Sequence, residues 1–302
     1  MRDKIENLIN SSAWRVNSNN LFNVDGASTL KSNMDYLSNV SDWRVEQICN
    51  LASQNGIDLY GQDQLLDAGC GFGVSAIVAN LKGVNWVGIE PDPAAIALTR
   101  EVASFCGLSE SRANDFILQG DGESLIFADD TFSAIVSHQV IEHVGSPKNY
   151  LRELIRVLKP NGILLLTAPE SRMCYEPHYG IPWIPFLNKE HCVPWLEIFE
   201  KNFGGLNDFN YVSGIEIRAL ALSIGFADVE LSYCNPNTSE SLFDKDLARM
   251  MRDSNKYTVD HDEIKKIATR VKLSQELFTG DSFQIIARKS LTKKKKSFFK
   301  FL

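Results

Sequence analysis

The sequence predicts an α/β fold, a three-layer sandwich in which helices cover a seven-stranded, mainly parallel sheet closed by an antiparallel strand. Three observations carry the prediction. Short apolar runs alternate with segments of helical period between residues 37 and 168, the order of a parallel sheet covered on both faces. A glycine-rich turn, Gly69-Cys70-Gly71-Phe72-Gly73, follows the first apolar run directly. Two further apolar runs, residues 229–233 and 282–288, stand near the end of the chain and read as antiparallel closing strands.

Residues 1–35 are polar, rich in Asn and Ser and weakly patterned, which suggests a loosely structured arm. In residues 37–55, Leu37, Val40, Val45, Ile48 and Leu51 recur at helical spacing, and Gly56 stops the pattern. Strands are expected at 64–67, 85–90, 116–120, 134–137 and 163–168. Helices are expected at 74–81, at 92–105 with Pro93 in its first turn, and at 146–158 with Ser146 as N-cap and Pro147 at the first position. Lys159-Pro160-Asn161-Gly162 reads as a turn. Residues 171–211, with Pro177, Pro182, Pro185 and Pro194 among aromatics, break the alternation. They read as an insertion above the sheet without a periodic core of its own. A helix at 215–224 follows, and residues 236–280 read as mostly helical and charged.

Composition narrows the function classes. The 302 residues are 44% hydrophobic and 23% charged, a globular profile. No run approaches the roughly 20 apolar residues of a membrane span, and the first residues lack the apolar stretch of a secretory signal. The six cysteines are scattered, with no C-x-x-C pair, which suggests reduced thiols in a cytoplasm. Cys174, His178, His191 and Cys192 match no standard zinc spacing, so no metal is expected. Net charge is −7, yet the seven charges from Arg288 onward are all basic, leaving residues 1–287 at −14. An acidic body argues against nucleic acid as a partner.

Four segments carry chemistry. In Leu65-Leu66-Asp67-Ala68-Gly69-Cys70-Gly71-Phe72-Gly73 a strand ends in an acid before a glycine turn, the place where such folds bind nucleotides. A dinucleotide fingerprint wants Gly or Ala where Val74 stands, and Asp67 suits a cationic amino acid better than a pyrophosphate. Glu90, at the end of the second strand, offers one carboxylate to both hydroxyls of a ribose. In Gly120-Asp121-Gly122-Glu123-Ser124-Leu125, Asp121 suits an exocyclic adenine amine and the following N–H a ring nitrogen. The fourth is Val140-Ile141-Glu142-His143-Val144, followed by Leu158-Lys159-Pro160-Asn161-Gly162-Ile163-Leu164.

In this order and spacing the four segments resemble the class I S-adenosylmethionine-dependent methyltransferases, with a methyltransferase type 11-like domain on a Rossmann-like fold. The resemblance is strong over residues 60–170 and weak over 212–290. It implies S-adenosyl-L-methionine as cofactor. Gly69, Cys70 and Gly71 would lie against its methionine and ribose, and Asp67 near the amino group. Glu90 would hold the ribose and Asp121 and Gly122 the adenine. His138 and Gln139 would line the mouth at the methyl donor, with Gly73, Pro91 and Glu123 completing the cofactor set. Ser133 departs from the family, which usually has an acid after the phenylalanine of Phe132-Ser133-Ala134-Ile135-Val136. The expected consequence is a local change without loss of cofactor binding.

The implied organisation is an N-terminal arm and helix at 1–58, the methyltransferase domain at 59–290 with a substrate lid at 171–211, and a tail at 291–302. The implied reaction is O-methylation of a small-molecule, sugar or lipid-linked acceptor. A catalytically silent cofactor-binding regulator and a nucleotide-dependent oxidoreductase are the alternatives. Of five histidines, His143 at the pocket edge and His178 in the lid are the candidate bases. The tail, Lys293-Lys294-Lys295-Lys296-Ser297-Phe298-Phe299-Lys300-Phe301-Leu302, suits peripheral contact with an anionic membrane at the inner face.

Overall fold

The computed structural model describes residues 41–171, 175–176, 179, 181–183, 189–202, 206, 210–234 and 282–290. The expected arm at 1–35, the helical segment at 236–280, the base candidate His178 and the basic tail lie outside the described residues.

The chain enters through helix α1 (Ser41–Gln54), then alternates β1 (Leu65–Ala68), α2 (Val74–Leu81), β2 (Trp86–Glu90), α3 (Pro93–Phe105), α4 (Glu110–Phe116), β3 (Ile117–Gln119), β4 (Phe132–His138), α5 (Pro147–Val157) and β5 (Leu158–Pro169). An insertion contributes β6 (Tyr175–Glu176), β7 (Ile181–Pro182) and α6 (Lys189–Ile198). Helix α7 (Gly214–Ile224) and strands β8 (Phe226–Cys234) and β9 (Ser282–Lys289) close the fold. The main sheet runs β3-β2-β1-β4-β5-β9-β8, with β1 to β5 parallel and β9 antiparallel to both neighbours.

Burial explains the two sequence textures. Every residue of β1 is buried, as are the first six of β4, because helices cover both faces of the parallel strands. Strand β9 instead alternates, burying Phe283, Ile285 and Ala287 between less covered residues, the period of a strand with one core face. Helix α5 packs Tyr150, Leu151, Leu154 and Val157 inward, and Ser146 caps it by accepting from the Asn149 N–H at 3.3 Å. At its far end the Lys289 ammonium donates to the Leu158 carbonyl at 2.6 Å and contacts Asp130 at 2.5 Å, tying β9 to the end of α5.

Three expectations need correction. No element was expected at 106–115, where α4 forms behind the N-cap Ser109. It buries only Ala113 and Phe116, too few apolar positions for a visible period. The turn at 159–162 lies inside β5 as a bulge: Phe132 faces Leu158 and Ala134 faces Ile163, so Ser133 alone opposes four residues. Asn161 absorbs the bend at φ 63°. The insertion does carry a small core of its own, formed by Tyr179, Ile181, Trp183, Cys192, Trp195, Leu196, Phe199 and Leu206. Half of this core stands on and just after α6, where Cys192, Trp195, Leu196 and Phe199 recur at helical spacing, a period masked in the sequence by Pro194 inside the helix.

The Ser133 departure has a local solution. The Ser133 hydroxyl bonds the Asp63 carboxylate, and the Lys159 ammonium lies 3.0 Å from that hydroxyl and 3.7 Å from Asp63. The acid beside β4 thus comes from Asp63, before β1. The Ser133 hydrogen bond holds the Asp63 carboxyl below the usual aspartate range. A depressed carboxyl stabilises the fold above its unfolded pKa and loses that contribution as pH falls through the folded value. Asp63→Asn should therefore cost about 1 kcal/mol at pH 7. The difference from wild type should vanish as pH falls below the usual aspartate range in denaturant titrations; a constant difference would remove the charge from the account.

Candidate functional site

The candidate site lies at the carboxyl edge of β3, β2, β1 and β4, where the strand order places four loops side by side. Strand β1 stops after Ala68 because the chain turns through Gly69, Gly71 and Gly73 at φ 81°, 53° and 58°, a region that glycine enters without steric cost. The N–H groups of Gly69 and Cys70 both donate to the Ile89 carbonyl, at 2.9 and 3.0 Å, which pins the turn onto the end of β2. A Cβ on Gly69 would strike Val140, and one on Gly73 would strike Thr99. Among the described residues, none but its chain neighbours lies within 4 Å of where a Cβ on Gly71 would stand. Among these residues the turn is therefore packed tightly beneath and open above Gly71, a cradle for a ligand that lies on backbone.

Cys70 contributes backbone only. Its sulfur lies against Gly88, where a Cβ would come within 2.7 Å, and burial pushes the thiol far above the usual range. Beside the turn, the Glu90 carboxylate accepts from the Gly71 N–H at 3.0 Å and the Asp92 N–H at 3.2 Å. Those bonds oppose the burial that raises its pKa. A carboxylate has about four lone-pair positions, and the described residues take two of them. Pro91 leads from Glu90 to Asp92, which caps α3.

Asp67 is buried within β1 and accepts from the Trp86 indole N–H at 3.2 Å. Burial lifts its carboxyl to about 6, against the pull of the Arg44 guanidinium and the indole. In the loop after β3, Asp121 accepts from the Glu123 N–H at 2.8 Å, an Asx turn that fixes its carboxylate. The Glu123 carboxylate lies against Gly145 of the next loop, 2.9 Å from where a Cβ would stand. Gly122 rests on the buried ring of Tyr150.

At the end of β4, Nδ1 of His138 bonds the Thr167 hydroxyl. Burial, with help from Arg44, holds its pKa down to about 3, so the ring is neutral at physiological pH. Gln139 follows at φ 57°, exposed, with its N–H on the Thr167 carbonyl at 2.9 Å. A non-glycine residue in the left-handed region at this edge marks a constrained backbone. His143 closes a turn onto the Val140 carbonyl, is exposed, and brings Nε2 to 4.0 Å from the buried Glu142 carboxylate. The insertion reaches this loop through Asn210, whose N–H donates to the Glu142 carbonyl and whose side-chain amide donates to the Val144 carbonyl at 2.6 Å.

The structure thus brings Asp67, Gly69, Cys70, Gly71, Gly73, Glu90, Pro91, Asp121, Gly122, Glu123, His138, Gln139 and His143 to neighbouring loops of one sheet edge. Sequence reasoning missed Arg44, Trp86, Thr99, Tyr150 and Asn210. Arg44 and Tyr150 sit within helices, where an arginine or a buried aromatic carries no signal of a site. Among the described residues no group of three or more His, Cys, Asp or Glu is arranged to hold a metal ion.

The methyltransferase domain family matches residues 66–166, the span holding the glycine turn, Glu90, the Asp121 loop and β4. An uncharacterized methyltransferase of Mycolicibacterium vanbaalenii is 38% identical over 103 residues, 34% of this chain and 38% of the relative. The norajmaline N-methyltransferase of Rauvolfia serpentina is 32% identical over 109 residues, 36% of each chain. The chain thus aligns with well under half the length of these relatives. A solved chain from Galdieria sulphuraria that carries the name sarcosine dimethylglycine methyltransferase superposes with a TM-score of 0.51 at 19% identity, over 82% of this chain and 85% of that one. Residues 66–166 are a methyltransferase domain, and the chain is built on the class I S-adenosylmethionine-dependent methyltransferase fold.

Proposed function

We propose that the protein transfers the methyl group of S-adenosyl-L-methionine to a hydroxyl of a small-molecule, sugar or lipid-linked acceptor. The observation that carries the reading is the pairing of Glu90 with the open backbone at Gly71. A fixed carboxylate beside a cradle of glycine backbone fits a ribose and the chain attached to it. When bound, the cofactor supplies a methyl group on a sulfonium, whose departure as a neutral thioether leaves the protein chiefly an alignment task.

In this reading Glu90 accepts from both ribose hydroxyls. Asp121 accepts from the adenine amine, its carboxylate already oriented by the Glu123 N–H. Asp67 faces the amino group of the methionine part, and Arg44 supplies positive charge for its carboxylate. The neutral His138 keeps positive charge away from the sulfonium. His143 takes the acceptor's proton, with the Glu142 carboxylate favouring the imidazolium that forms. The likeness to an N-methyltransferase over the cofactor half leaves the choice of oxygen over nitrogen with this histidine, since an unprotonated amine needs no base.

A screen of acceptor extracts with labelled methyl donor and purified protein tests the reaction; cofactor binding without transfer to any acceptor would favour a silent binding module. Glu90→Ala should weaken S-adenosylmethionine binding about tenfold to a hundredfold in calorimetry. Unchanged affinity in folded protein would remove Glu90 from the site.

Asp67 gives a pH signature. Its folded pKa, about 6 against 3.8, means that ionisation penalises the apoprotein fully above pH 6 and not at all below about pH 4. Asp67→Asn keeps an acceptor for the Trp86 indole. It should raise apoprotein stability at pH 8 by about 2–3 kcal/mol, while weakening cofactor binding. Wild-type affinity should itself fall as pH drops through 6. Affinity independent of pH between 5 and 8 would overturn the pairing with the amino group.

With the acceptor identified, His143→Ala should leave cofactor affinity intact and lower turnover by about a hundredfold. Undiminished turnover would give the proton to another group.

A further inference from the structure

The strands β1 and β4 part company at the site. Their ladder pairs Leu65 with Ala134, Leu66 with Ile135 and Asp67 with Val136, and ends there. The next opposed residues would be Ala68 and Ser137, and both are buried without a ladder bond between them. The Tyr150 hydroxyl stands in that gap. It donates to the Ala68 carbonyl at 3.1 Å and lies 2.9 Å from the Ser137 hydroxyl, from a side chain fully buried on α5. Ala68 immediately precedes the glycine turn, and Ser137 immediately precedes His138.

The same side chain reaches a third loop. A Cβ on Gly122 would lie 2.6 Å from Tyr150 Cε2 and 3.0 Å from Cδ2, so the ring is the floor on which that loop rests. A phenylalanine would fill this volume equally well. The hydroxyl is spent on a strand-end carbonyl just beyond the last paired residues of β1 and β4. In open parallel sheets the binding crevice forms where adjacent strands send their connections to opposite faces, and between β1 and β4 a phenol bridges that divergence.

We propose that Tyr150 is a positioning residue for the cofactor cleft, its hydroxyl fixing the glycine turn and its ring fixing the Asp121-Gly122 loop. The role rests on the reading of the cleft as an S-adenosylmethionine site. It makes two separable demands: the hydroxyl serves the half of the cleft at Gly69 and Gly71, and the ring serves the half at Gly122.

Calorimetry with S-adenosylhomocysteine and with 5′-methylthioadenosine, which lacks the amino-acid part, separates the halves. Tyr150→Phe should bind S-adenosylhomocysteine about tenfold more weakly and methylthioadenosine, which keeps the ribose but lacks the amino-acid part, more weakly by a smaller factor. Gly122→Ala should weaken both probes alike, and the double variant Gly122→Ala with Tyr150→Leu should recover methylthioadenosine binding, because the obstructing ring is gone. A Tyr150→Phe protein with a lower melting temperature but unchanged affinity for S-adenosylhomocysteine would make the hydroxyl merely structural and overturn the proposal. Absence of recovery in the double variant would overturn the role of the ring, and this comparison stands even if Tyr150→Phe does not fold. Failure of wild type to bind either probe would overturn the reading of the cleft itself.

Discussion

The candidate site depends on one backbone junction, the Ile89 carbonyl that accepts from the N–H groups of both Gly69 and Cys70. Those bonds hold the first turn of the domain against the end of β2. Glu90 follows Ile89 directly, so its carboxylate meets the Gly71 N–H of the same turn. Gly88, one residue before, must lack a side chain because the Cys70 sulfur occupies that space. The glycines are therefore of three physical kinds. Some free the backbone to enter left-handed φ, some admit a neighbouring side chain, and at Gly71 the left-handed backbone is bordered by space that no described residue fills.

Electrostatics at this edge runs against folding. Asp67 and Glu90 are drawn into low-dielectric surroundings that raise both carboxyl pKa values, and the Glu90 charge adds to the rise at Asp67. Hydrogen bonds from Trp86, Gly71 and Asp92 oppose the burial only in part. Glu170, at the end of β5, is buried too, but it accepts from the Gly214 N–H at 3.0 Å, the first turn of α7. Its pairing with a helix N-terminus is structurally sufficient. Asp67 instead meets the Trp86 indole N–H and the charge of Arg44, which together leave its carboxyl raised to about 6.

The insertion is joined to this edge at both of its stems. Ser171 donates its N–H to the Val212 carbonyl at 2.9 Å, Gly214 bonds Glu170, and Asn210 holds the carbonyls of Glu142 and Val144. Within the insertion, Trp183 stacks on Tyr211 at 5.4 Å and Trp195 meets Phe199 edge to face at the same centroid distance. This small core is separate from the main one. Asn210 ties the insertion to the loop that bears His143.

The sequence by itself determined the elements whose period is local. Helix α2 was legible to its end residues, and Ser146-Pro147 alone marked the start of α5, because caps and apolar spacing are short-range properties. Glycine spacing and acids at strand ends likewise made Asp67, Glu90 and Asp121 legible. The tertiary structure alone decided what passes between distant segments. Asp63 supplies the acid that Ser133 lacks across 70 residues of chain, the Arg44 charge reaches Asp67 and His138 from α1, and Tyr150 enters the gap between β1 and β4 from a helix legible only as amphipathic. Period shows which face of an element is buried and leaves open which buried group meets which; contacts across the sheet are fixed only when the strands take their order.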